Sequence, residues 1–137
     1  IIGKGKDYSK IKKYIYEKKL HQYVKLLGYK KNPFQYIKQA DIFLLSSKYE
    51  GSPNVIVEAL FLKKYIMSTN CPTGPNEILQ NEKFGKIFNV GDYKALSKLI
   101  LNFKKNNINK SELSKYLKTY DKEINCNKYF KYIKKFI

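Results

Sequence analysis

At 137 residues, 43% apolar and 15% aromatic, the chain is long enough to bury a core and too apolar to be disordered, but two full domains would not fit. Its net charge of +17 invites a nucleic-acid reading, yet all 28 basic residues are lysine and none is the arginine that reads bases and phosphates bidentately. Lys, Asn, Ile, Tyr and Phe are abundant together and Trp is absent, the set an AT-rich coding sequence produces, so nucleic acid is not expected as a partner. Attraction to an anionic membrane surface needs charge without such geometry, and peripheral contact there is the expectation the charge leaves standing.

In chain order, Ile1-Ile2-Gly3 reads as the end of a strand, so the chain is expected to be part of a longer protein, lacking its first strand. Asp7 is placed to cap a helix whose apolar face carries Ile11, Tyr14 and Ile15. Residues 23–27 read as a short strand ended by Gly28, and Asn32-Pro33 as a helix start with Tyr36 and Ile37 turned inward. The run 41–45 is the kind of apolar strand that parallel sheets bury on both faces.

After a loop over residues 46–52, Pro53 opens a helix reaching about Leu62, and residues 65–68 form the next strand. Pro75 starts a short helix through Leu79, residues 84–90 make a strand, and Gly91-Asp92 cap a helix bearing Leu96, Leu99, Ile100 and Phe103. Ser111 begins another helix, and residues 127–137 read as a last, lysine-rich amphipathic one. Strand and helix alternating in this way predict an α/β fold: one domain over residues 1–137, built on an open, mostly parallel Rossmann-like sheet with helices on both faces. Such sheets take ligands at the carboxyl ends of their strands, in the loops 3–7, 28–32, 46–52, 69–76 and 89–92.

Chemistry concentrates in the segment from Ser47 to Leu60. Glu50 stands in the loop, Glu58 stands inside the following helix, and seven residues separate them. Between them the helix start presents free N–H groups and a partial positive charge, a seat for a diphosphate. Taken singly, each glutamate is an ordinary solvated carboxylate. Flanking an anion seat after a buried strand, the pair suits a ligand with hydroxyls at both ends and phosphates between, as in a nucleotide sugar. Cys71 and Cys126 have neither metal nor redox spacing and read as two buried thiols of a reducing, cytoplasmic setting. Lone His21 lacks a nucleophile partner and sits on no ligand-side loop, which counts against an epimerase-like use of a nucleotide sugar.

The Glu50 to Glu58 spacing resembles the paired-glutamate motif of the large retaining glycosyltransferase family often called GT4, whose members have the two-domain GT-B fold. Ile1-Ile2-Gly3-Lys4-Gly5 is similar to its Gly-rich turn, Leu27-Gly28-Tyr29 to its base-side loop, and residues 40–47 to its central strand. Residues 71–79 resemble a segment of members that extend lipid-linked bacterial glycans, and Phe84-Gly85 and Val90-Gly91-Asp92 follow in family order.

The resemblance implies a donor-binding domain that moves a hexose or N-acetylhexosamine from a nucleotide diphosphate, UDP favoured, to a glycan or lipid-linked acceptor. It assigns Glu58 to the ribose hydroxyls and Glu50 to the donor sugar near the reacting carbon. Backbone amides around Gly51, Ser52, Pro53, Asn54 and Val55 take the sugar hydroxyls and diphosphate. Gly3 lines the donor, the Tyr29 main chain meets the base, and Thr73 and Gly74 line the sugar end. It implies no metal and no further cofactor, and it places the acceptor domain and a basic pair for the diphosphate upstream of Ile1. The chain departs from the family at Lys63, Tyr65, Asn70 and Asn76, where members often carry Gly, Pro, Asp and a basic residue. The alternative is a non-catalytic module that holds a nucleotide sugar or a protein.

Overall fold

The structure is a computed structural model that describes residues 1–104 and 108–136. The chain forms two compact units, Ile1–Tyr36 and Ile37–Ile137.

In the first unit, helix α1 (Tyr8–Glu17) buries Ile15 alone, while Ile11 and Tyr14 of the expected apolar face stay exposed, and the Asp7 side chain makes no capping bond. Residues 23–27 do not form the expected strand. The chain turns at Tyr23 and Val24, whose N–H groups both donate to Leu20 O, and an extended stretch begins only at Lys25. That stretch lies parallel to the first residues: the Ile1 ammonium donates to Lys25 O, Leu27 N–H to Ile1 O, and Gly3 N–H to Gly28 O. Among the described residues the pairing amounts to one bridge, Ile2 with Gly28. Helix α2 (Phe34–Gln39) comes after Pro33, with Asn32 Oδ1 accepting from Phe34 N–H.

The second unit holds an open three-stranded parallel sheet in the order β1 (Ile42–Leu45), β2 (Tyr65–Thr69), β3 (Gly85–Phe88). Helix α3 (Asn54–Phe61) joins β1 to β2, and α4 (Pro75–Ile78) joins β2 to β3. Then come α5 (Tyr93–Leu101), α6 (Lys110–Leu117), a 3-10 turn (Lys118–Tyr120) and α7 (Lys122–Ile133). The α/β fold read from the sequence is the fold observed.

Strand alternation sorts the sheet's side chains. Phe43, Ile66 and Ile87 face the main core, where Ile56, Ala59 and Leu60 of α3 meet Ile78, Leu79, Phe84, Leu113 and Leu117. Tyr65 and Met67 point the opposite way, and Phe103, just after α5, packs its ring 5.2 Å from that of Tyr65. Helices therefore cover both faces. The run 41–45 is not buried on both faces as expected: β1 is an outer strand of this sheet and leaves Leu44 exposed. At Gly85 the backbone crosses β2 so closely that a Cβ would stand 2.5 Å from Ile66 O.

Side-chain caps open α5, α6 and α7. Asp92 Oδ1 accepts from Ala95 N–H as expected. Helix α6 is capped by Asn109, which accepts from Ser111 and Glu112, so it starts one residue before Ser111. Asp121 accepts from Ile124 N–H, which starts α7 at Lys122 rather than at Asn127; Ile137, the end of the expected helix, lies outside the described residues.

Helices α1, α3 and α4 end alike, in the paired carbonyl-closing bonds of a Schellman turn: Leu20 to Ile15 and Lys19 to Tyr16, Lys64 to Ala59 and Lys63 to Leu60, Asn81 to Asn76 and Gln80 to Glu77. The left-handed residue that such a turn needs is in each case not glycine but Lys19, Lys63 or Gln80, with φ of 55°, 56° and 49°.

Left-handed backbone continues through Asn81 and Glu82. This turns the Glu82 carboxylate onto β3, where it accepts from Ile87 N–H at 2.8 Å and from Lys86 Nζ at 2.9 Å. Burial alone pushes the Glu82 carboxyl up, but the Ile87 and Lys86 donors together outweigh it and hold the carboxyl below its ordinary value of 4.5. A depressed folded value means the stabilisation is present above about pH 4.5 and is lost as pH falls through the lower, folded value. Thermal melts of wild type and Glu82→Gln are expected to differ at neutral pH and to converge as pH drops below about 4.5; a gap that widens on acidification would contradict this clamp.

Candidate functional site

Two of the ligand-side loops lie at the carboxyl ends of neighbouring strands β1 and β2, and hydrogen bonds tie them together. Thr69 Oγ1, at the end of β2, donates to Ser47 O at 2.5 Å. Thr73 Oγ1 donates to Glu50 O at 2.6 Å. Sequence pattern places Thr69 simply in a loop; its burial to 2% exposure as a polar residue is the signal of this tie.

Gly74 completes the junction. A Cβ there would stand 2.5 Å from Pro53 Cδ and 2.8 Å from Gly51 O, and the residue adopts φ 92°, ψ −65°. This is close to the strained γ-turn geometry that side chains avoid. Gly74 and Pro53 are buried, whereas Gly51, Ser52, Asn54, Val55 and Thr73 are exposed around them.

Helix α3 starts at this junction with no side-chain cap, since Pro53 occupies the capping position. Ile56 N–H closes onto Pro53 O at 2.9 Å, leaving the exposed start at Asn54 and Val55. An uncapped helix start concentrates N–H donors and partial positive charge and so favours an anion. Glu58 lies one turn beyond Asn54 on the same side of α3, away from Ile56, Ala59 and Leu60, which are fully buried. Glu50 and Glu58 are both half-buried, and among the described residues neither carboxylate is engaged in a hydrogen bond or ion pair.

The structure thus brings Glu50, Gly51, Ser52, Pro53, Asn54, Val55, Thr73 and Gly74 into one cluster, with Glu58 one turn along the helix. Gly3 and Tyr29 belong to the first unit, where the Gly3 N–H donates to Gly28 O at 2.9 Å and Tyr29 comes next with an exposed ring. Two cavities stand apart from all of these residues. One, of about 530 Å³, lies in the first unit between Tyr8, Lys12, Tyr16, His21 and Leu26; the other, about 370 Å³, lies at the amino ends of β1 and β2 beside Lys38, Lys63, Lys64 and Lys110. Among the described residues no helix is long and apolar enough to cross a membrane.

Residues 1–123 match the family described as glycosyl transferases group 1. An uncharacterised glycosyltransferase of Methanocaldococcus jannaschii is 44% identical over 79 residues, which is 58% of this chain and 20% of that protein. The N-acetylgalactosamine-N,N'-diacetylbacillosaminyl-diphospho-undecaprenol 4-alpha-N-acetylgalactosaminyltransferase of Campylobacter jejuni is 28% identical over 96 residues, 70% of this chain and 26% of that one. Among solved structures, TarM superposes with a TM-score of 0.82 at 24% identity, over 96% of this chain and 27% of its own. HepE of Anabaena in complex with UDP superposes with a TM-score of 0.69 at 19% identity, over 92% of this chain and 39% of its own. The chain spans 20–27% of the length of the curated relatives it matches.

Proposed function

The chain belongs to the glycosyl transferases group 1 family, and on that premise we propose that it is the donor-binding part of a retaining enzyme. That enzyme moves a hexose or N-acetylhexosamine from a UDP-linked donor to a glycan or lipid-linked acceptor. The observation that carries this reading is the tied pair of loops. Thr73 and Gly74 hold Glu50 and Gly51 in place above an uncapped helix start, and the half-buried carboxylates of Glu50 and Glu58 remain open to a ligand.

In this reading the diphosphate sits on the α3 start, where the N–H groups near Ser52, Asn54 and Val55 meet it, and the helix terminus stabilises the charge that develops as the sugar–phosphate bond breaks. Glu58 accepts hydrogen bonds from the ribose hydroxyls. Glu50 accepts from the sugar hydroxyls beside the reacting carbon, with Thr73 and Gly74 closing that end. Support for UDP comes from two proteins that share this fold and were solved with it, TarM and HepE. No metal is assigned a part, so transfer by the whole enzyme is expected to persist in excess EDTA. Cys71 is buried as expected whereas Cys126 is exposed, and two free thiols suit a cytoplasmic setting.

Separate roles for the two glutamates make separate predictions. Glu58→Ala is expected to weaken both UDP and UDP-sugar binding by about 1–3 kcal/mol, the loss of a hydrogen-bonded carboxylate acceptor. Glu50→Ala is expected to leave UDP binding nearly unchanged and to weaken only the sugar-bearing ligand. Titration calorimetry with UDP, UDP-glucose and UDP-N-acetylglucosamine measures both, and equal losses on free UDP would contradict the division of labour.

A further inference from the structure

Two threonine hydroxyls of the segment that leaves β2 grip the loop that leaves β1. Thr69 Oγ1 donates to Ser47 O at 2.5 Å, and Thr73 Oγ1 donates to Glu50 O at 2.6 Å. Lys48 and Tyr49, bracketed by the two held carbonyls, are exposed. Outside the β1–β2 ladder, and among the described residues, these are the two hydrogen bonds that hold residues 46–52. The footing on the other side is firm. Thr69 pairs with Phe88 in the β2–β3 ladder, and the next residue, Asn70, donates its N–H to Phe88 O at 2.7 Å.

The two threonines differ in what they can reach. Thr73 is exposed beside the site, whereas Thr69 is 2% exposed and its hydroxyl proton is already committed to Ser47 O. Whatever Thr69 does for a ligand therefore passes through Ser47 and the backbone that follows it. We propose that Thr69 is a positioning residue for the sugar end of the site. By fixing Ser47 it sets where Glu50 stands, so the loop is ordered before a donor arrives and binding does not bear the cost of ordering it. This rests on the donor reading above and adds a division within it. Glu58 does not depend on this tie, because α3 is held by Ile56, Ala59 and Leu60 in the core and its start by Pro53 against Gly74. The loop that carries Glu50 does. Loss of the Thr69 donor is accordingly felt by the sugar and not by the nucleotide.

The test uses the whole chain. Thr69→Val keeps a β-branched residue suited to the strand and removes the donor. Thr69→Ser keeps the donor, and Thr69→Ala is the second donor-free form should the valine variant not fold. Without ligand, amide order parameters of Lys48, Tyr49 and Glu50 are expected near the rigid value of about 0.85 in the wild type and below about 0.6 in Thr69→Val. Titrated with UDP, UDP-glucose and UDP-N-acetylglucosamine, Thr69→Val is expected to lose about fivefold in affinity for the two sugar-bearing ligands and to stay within about twofold for UDP. Thr69→Ser should recover the wild-type pattern. Thr119→Val removes a comparable hydroxyl bond, to Tyr116 O at 2.7 Å, far along the sequence from both loops, and should change neither affinity. A rigid loop and unchanged sugar affinity in Thr69→Val would overturn the proposal. So would equal losses on UDP and the UDP-sugars, which mark a residue that supports the fold at large. A wild-type chain that binds none of the three ligands would overturn the donor reading itself, and this inference with it.

Discussion

Residues 1–137 by themselves are expected to transfer no sugar. Incubated with UDP-linked hexoses or N-acetylhexosamines and a panel of free and lipid-linked acceptors, the chain should release nucleotide diphosphate no faster than buffer. Retaining transfer requires an acceptor hydroxyl held against the anomeric carbon, and positioning of that kind contributes about 7–11 kcal/mol of barrier reduction. In the proposed reading the loops around Glu50 and Gly74 take the donor only, and the chain spans 20–27% of the length of its curated relatives. In a longer protein that does transfer sugar, Glu50→Ala is expected to lower kcat by about 10²–10³, the range seen when a group aimed at the reacting centre is lost. Robust turnover by the 137-residue chain would mean that the site is completed somewhere other than at these loops.

Gly74→Ala carries the second large effect. The added methyl meets Pro53 Cδ and Gly51 O at distances that real contacts do not reach, and φ 92° denies it an unstrained backbone. Overpacking and a disfavoured backbone each cost about 1–3 kcal/mol, so chemical denaturation should show a loss of about 3 kcal/mol. UDP-sugar binding should fall as well, because the loop can relieve the contact only by moving Pro53 and the α3 start. Gly5→Ala is the matched control: its Cβ meets nothing within 4 Å, and it should stay within about 0.5 kcal/mol of wild type. A Gly74→Ala protein of wild-type stability and affinity would show that the two loops do not depend on this contact.

Much of this site is legible in the residues. Pro53 marks a helix start immediately after an apolar run, and Gly91-Asp92 announces a cap, because both signals are local. The features that escape a sequence reading are non-local. The tie from Thr69 to Ser47 spans 22 positions, and no pattern within a short window reveals it. The run 41–45 carries no mark that distinguishes an outer strand from a central one, so nothing in it foretells the exposure of Leu44. Residues 23–27 have the composition of a strand, but the bonds from Tyr23 and Val24 back to Leu20 O hold their start in a turn. The start of α7 is hard to place because the 3-10 turn Lys118–Tyr120 precedes it directly, with only Asp121 to separate two helical stretches. The ends of α1, α3 and α4 are readable only approximately, because the usual glycine signal is missing there.

Those three helix ends hold stability in reserve. Lys19, Lys63 and Gln80 sit where a right-handed residue loses about 1–2 kcal/mol and glycine loses little. The three turns share no hydrogen bond, so the losses are expected to add. Glycine at these three positions, none of them in a ligand-side loop, is therefore expected to recover stability that the backbone now forgoes.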